Sequence, residues 1–150
     1  MFGLLLVFHI MAAIAIIGSA FAAPFIRRSA RTIGQLQFAL GITAKLAILL
    51  KIDGTVLIVT GVWLMLLTKM GLSQIWLNVS ILLSLLIVVM IDGWIEPRIK
   101  KTVKVISESQ DRGNEIPVEF GLLLKRITPI ETSAQLLMIA TLVLMVVKPF

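Results

Sequence analysis

Four long apolar runs constrain this chain more than any other feature. They lie at about 3–25, 46–67, 75–95 and 130–147. An α-helix rises ~1.5 Å per residue, so about 20 residues cross the hydrocarbon core of a bilayer. Lipid offers the backbone no hydrogen-bonding partner, and a helix satisfies its own N–H and C=O groups. Of the 150 residues, 59% are hydrophobic and 15% charged, whereas a soluble domain carries about 25% charge on average. The expected fold is therefore all-α. It is a transmembrane four-helix bundle in one integral membrane domain, with short amphipathic cytoplasmic helices and a polar cytoplasmic loop at about 98–117.

The basic residues orient the bundle. Arg27, Arg28, Arg31, Lys45 and Lys51 follow the first run, and Arg98, Lys100, Lys101, Lys104, Arg112, Lys125 and Arg126 follow the third. That is twelve of the fourteen, with Lys69 and Lys148 on the other side. The positive-inside rule puts both termini outside and both long connections in the cytoplasm of a bacterial or archaeal cell. The net charge of +6 thus follows membrane topology and does not point to nucleic acid. Ala20-Phe21-Ala22 resembles a signal-peptide cleavage site, but the arginines follow the first run instead of preceding it. A retained span is expected. The absence of cysteine excludes a disulfide, a thiolate metal site and a cysteine nucleophile.

The connections carry their own pattern. Ile26, Ala30, Ile33, Leu36, Gln37 and Leu40 recur at helical spacing, which predicts an interfacial helix or an early extension of span two. Ser107–Pro117 is the most polar stretch and predicts an exposed loop. Val118–Ile127 is amphipathic and precedes Pro129, which is expected to open or kink span four.

Span one, LLLVFHIMAAIAIIGSAFAA, holds the chain's single histidine. His9 shares a stripe with Ala12, Ala13, Ile16, Ala20 and Ala23, and small side chains let membrane helices approach closely. This leaves two readings: a hydrogen bond to another helix, or a ligand or proton-handling group. On span two, Asp53, Leu57, Thr60 and Leu64 share a face bordered by Gly54 and Gly61, with Lys51 roughly opposite and expected to snorkel to the headgroups. Span three aligns Asn78, Leu85, Val89, Asp92 and Glu96, and Glu96 is one turn from Lys100. Span four aligns Glu131, Gln135, Met138, Leu142 and Met145, with Glu131 expected as a first-turn acid after Pro129.

By this orientation Asp53, Asp92, Glu96 and Glu131 lie near the cytoplasmic side and His9 in the outer half. A His9–carboxylate dyad or a Ser-His-acid triad is then unsupported. The four acids are candidates for an ion or proton pathway. The alternative is that they neutralise Lys45, Lys51, Arg98, Lys100 and Arg126. With one histidine, a single chain cannot supply bis-histidine haem ligation. His9 with a methionine, or two copies of His9 across a homodimer, satisfies haem chemistry. Neither GxxxxGK[ST] nor HExxH occurs.

Three segments, LVFHIMAAIAIIGSAFAAPFIRR, KIDGTVLIVTGVWLMLL and IWLNVSILLSLLIVV, followed by WIEPRIKK, resemble an uncharacterised bacterial family of four-span membrane proteins, predicted integral membrane domain 2269. That family is distantly similar to the CopD copper-resistance and HemJ protoporphyrinogen-oxidase membrane proteins. The resemblance implies a haem-associated histidine at His9. The HemJ-like pattern also expects a lysine shortly after the tryptophan opening span three, where this chain has Trp76-Leu77-Asn78. The leading expectation is a non-enzymatic membrane protein in the lipid bilayer, acting as a subunit or homo-oligomer. The alternatives are a haem- or metal-binding redox protein using His9 and a small proton- or cation-coupled transporter.

Overall fold

The computed structural model describes residues 1–69, 73–108 and 113–149. Among them the elements are α1 (Phe2–Ser29), α2 (Ile33–Thr68), α3 (Ile75–Val88), a π-helical segment (Val89–Ile95), α4 (Glu96–Glu108) and α5 (Val118–Val147). No strand occurs among the described residues. The segments α3, π and α4 run on without a break, so the chain forms four rods, each containing one apolar run. The fold is all-α, as the runs predict.

The rods overrun the bilayer. The 36 residues of α2 span about 54 Å against a hydrocarbon core of about 30 Å. The amphipathic stretches between the runs are therefore continuous with the spans: α2 begins at Ile33, the early extension that the spacing allowed, and α4 is a short amphipathic helix running on from span three. Residues 98–108, expected within a polar loop, are helical, because Ile99 and Ile106 have apolar partners beyond the span. Ser109–Arg112 of that loop lie outside the described residues. The break between α1 and α2 is built by a cap. Thr32 accepts a hydrogen bond from the Gln35 backbone N–H at 3.3 Å, and Gln35 Oε1 accepts from the Arg31 backbone N–H at 2.9 Å. The Ile33 N–H donates to the Asn114 carbonyl at 3.3 Å. Donors that a helix start leaves unpaired are thereby satisfied.

The apolar core sits in this extension. Leu36, Leu40, Ile106, Phe120, Leu123 and Ile127 form one buried cluster. Along the spans, only 6–22% of the most apolar window of each rod is buried within the chain. Leu4, Ile14, Leu66, Leu82 and Val146 are exposed, as lipid-facing side chains would be. Hydrophobic burial holds these extended ends together, and other contacts must hold the spans.

Helix α1 packs along α2, while α5 lies against α1 on one side and against α3 on the other. At the opposite ends of the rods, Lys148 Nζ lies 5.5 Å from the Trp76 ring centroid, linking α5 to α3. In α3 the buried line is Trp76, Ser80 and Ile87, continued by Ile95 in the π segment. The stripe Asn78, Leu85, Val89 and Asp92 lies on the exposed side instead. The π segment has a local cause. Pro97 donates no N–H, and its ring would meet the Gly93 carbonyl in an unbroken α-helix. The widened turn avoids this, and the Glu96 N–H bonds to the Ile91 carbonyl five residues back. Asp92 and Glu96 remain one wide turn apart, and both carboxylates act on Lys51 of α2.

Candidate functional site

His9 Nδ1 is 2.9 Å from Thr60 Oγ1, joining α1 to α2. Thr60 is buried, and its hydroxyl also lies 2.7 Å from the Val56 carbonyl and 3.2 Å from that of Leu57. A threonine hydroxyl has one proton, and a carbonyl can only accept it. The proton goes to the backbone, so Thr60 accepts from His9. This network assigns the imidazole proton to Nδ1 and leaves the lone pair on Nε2. Gly61 makes room for the ring, since a Cβ there would stand 3.2 Å from His9 Cε1. The small-residue stripe of α1 does face protein, with Ala12 buried and Ala13, Ile16, Ala20 and Ala23 half-buried.

The second cluster joins α1 to α5. Arg27 Nη2 donates to Glu131 Oε1, and both residues are buried. Arg28 Nη2 donates to Thr128 Oγ1 at 2.9 Å, and Gln135 Nε2 donates to the Ala20 carbonyl at 3.0 Å. The last bond answers a specific need. Pro24 lies inside α1 and lacks the N–H that would otherwise pair with Ala20, four residues back. A bare carbonyl in an apolar surround costs about 1–3 kcal/mol, and the Gln135 amide removes that cost. Glu131 is not a first-turn acid. The helix starts at Val118, Pro129 is accommodated inside it, and Glu119 occupies the first turn.

The third cluster joins α2 to α4. Glu96 Oε1 accepts from Lys51 Nζ at 2.9 Å and from Lys100 Nζ at 2.6 Å. The Glu96–Lys100 spacing was legible from the sequence. Lys51 ends on Glu96 and not on headgroups alone. Asp92 is exposed in the π segment. Asp53 is half-buried, and its Oδ2 has no hydrogen-bond partner.

The four acids are thus divided between two sides of the bundle. Glu131 belongs to the α1–α5 contact, and Glu96 to the α2–α4 contact. Among the described residues, no group of three or more His, Asp or Glu side chains is placed to hold a metal ion. Periodicity missed the roles of Arg27, Pro24 and Gln135. One signal was available. A proline inside an apolar run orphans a carbonyl, and Gln135 is the one carboxamide side chain in the run 130–147.

A family model described as predicted integral membrane protein (DUF2269) matches residues 3–149, and the chain belongs to that family. No curated protein and no solved structure matches the chain.

Proposed function

We propose that the protein is a non-enzymatic polytopic membrane subunit, acting as a homo-oligomer or beside a partner membrane protein. Its intramembrane polar groups hold its own helices in register. The observation that carries this reading is the His9–Thr60 hydrogen bond at 2.9 Å, with Gly61 packed under the ring. Polar contacts between membrane helices contribute about 0.6 kcal/mol on average, which matters where the spans bury little. The Arg27–Glu131 contact does the same between α1 and α5.

A second reading, haem or metal binding, is favoured by the assignment of the lone pair to Nε2, the ring atom left to ligate a metal. The absorption spectrum of the detergent-purified protein, expressed with ample haem, separates the two. The subunit reading expects no Soret band that depends on His9. A band that disappears in His9→Ala would replace it with the haem reading.

For topology, both termini lie outside a bacterial or archaeal cytoplasmic membrane, as the basic residues argue. The chain has no cysteine, so one introduced at exposed Ser107 is the sole thiol. It is expected to resist an impermeant maleimide in intact cells and to react after lysis. Full labelling of intact cells would invert the topology.

A further inference from the structure

We propose that a belt of cations beside the extension-side ends of the apolar runs gathers phospholipids of net negative charge, the phosphatidylglycerol type, around the bundle. Exposed Arg28 on α1, Lys45 on α2, Lys101 and Lys104 on α4, and Lys125 and Arg126 on α5 supply it. Among the described residues, ion pairs join Arg27 to Glu131 and both Lys51 and Lys100 to Glu96. None of these pairs includes a member of the belt.

The fold brings the six residues from four places in the sequence to one level. The hydrogen bond from Arg28 to Thr128 sets α1 beside α5 there, within one turn of Lys125 and Arg126. Ile99 and Leu124 pack against the same buried cluster, which sets the α4 cations beside those of α5. Lys45 follows Leu40 of that cluster by little more than one turn. The described acids of the extension stand elsewhere. Glu108 closes α4, and Glu115 and Glu119 flank the start of α5, near the tip where the Ile33 N–H meets the Asn114 carbonyl. Like charges gathered at one level repel, and no described carboxylate pairs with them.

Depth and distribution identify the missing anion. At ~1.5 Å per residue, every belt residue lies within about 14 Å of the end of an apolar run. The headgroup layer is roughly 5–8 Å thick on each side of the bilayer. A flexible Lys or Arg stem lets the charged head reach back into it. A soluble acidic partner would meet one side of the bundle, but the belt draws on all four rods, and a bilayer surface surrounds all four. A choline headgroup brings no net charge, so charge selects the anionic lipid. The belt's chemistry is independent of which face of the membrane the extension occupies and of what His9 does.

Native mass spectrometry of the delipidated full-length protein, titrated with glycerol- and choline-headgroup phospholipids of identical acyl chains, tests this. The anionic lipid is expected to bind about tenfold more tightly, the effect of one or two cations near a negative surface. Raising the salt from about 0.1 M to about 1 M shortens the screening length from about 10 Å to about 3 Å and is expected to abolish the preference. Neutralising Lys101, Lys104, Lys125 and Arg126 together by Gln is expected to bring the two lipids within about twofold of each other. Should that variant not fold, Lys125→Gln with Arg126→Gln is expected to weaken anionic-lipid binding about fivefold. Lys69→Gln, at the far end of α2, is expected to leave the preference unchanged. Polyglutamate of equal total charge is expected to leave the lipid bound. Equal binding of the two lipids, a preference that survives high salt or the Gln variants, an equal loss in Lys69→Gln, or displacement by polyglutamate would each overturn the proposal.

Discussion

Glu131→Ala is expected to destabilise the protein by about 3–5 kcal/mol, the cost of leaving one member of a buried ion pair without its partner. Arg27 is 4% exposed and cannot shed its charge, so the variant strands a guanidinium between α1 and α5. Arg27→Ala is expected to cost less, because the carboxyl left behind can take up a proton and become neutral. The double substitution Arg27→Met with Glu131→Leu removes both charges and keeps most of the volume. It is expected to recover most of the loss, since buried pairs replaced by apolar side chains are often neutral or better. Chemical unfolding in detergent micelles, followed by circular dichroism, measures all three. Equal losses for Glu131→Ala and the double variant would show that the pair contributes packing and not charge compensation.

The second large effect belongs to the extension beyond the spans. Ile127 is fully buried in the cluster with Leu36, Ile106 and Phe120. Ile127→Ala is expected to cost about 2–5 kcal/mol, through lost transfer energy and the cavity left behind. Leu82→Ala, at a position 68% exposed on α3, is expected to cost under about 0.5 kcal/mol. The same unfolding measurement applied to both separates a core in the extensions from one spread along the spans. A comparable loss at Leu82 would mean that the spans, and not the extensions, carry the apolar packing.

Much of this architecture could be read from the chain, because run length and composition depend on one helix at a time. The four runs, the inward stripe of span one and the Thr60–Gly61 face all come from spacing within a single helix. Contacts between helices also depend on axial register and rotation, which spacing in one helix does not encode. That is why His9 could be placed on an inward face without naming Thr60, and why Glu131 was not matched to Arg27. Prolines misled for a related reason. Pro129 reads as a helix start when its neighbours are unknown, yet α5 runs through it. Pro24 is tolerated because a glutamine on another helix caps the carbonyl it orphans. The outward turn of the span-three stripe is hidden in the sequence because apolar side chains cover every side of that run, leaving little contrast between faces.

His9 pairs α1 with α2 through Thr60. One histidine in the chain gives one pair of imidazole nitrogen signals, so ¹⁵N NMR of the histidine-labelled protein in micelles reads this contact directly. At neutral pH the spectrum is expected to show Nδ1 protonated and Nε2 bare, with the Nδ1 signal shifting in Thr60→Val. A ring protonated at Nε2, with signals unmoved by Thr60→Val, would contradict the account.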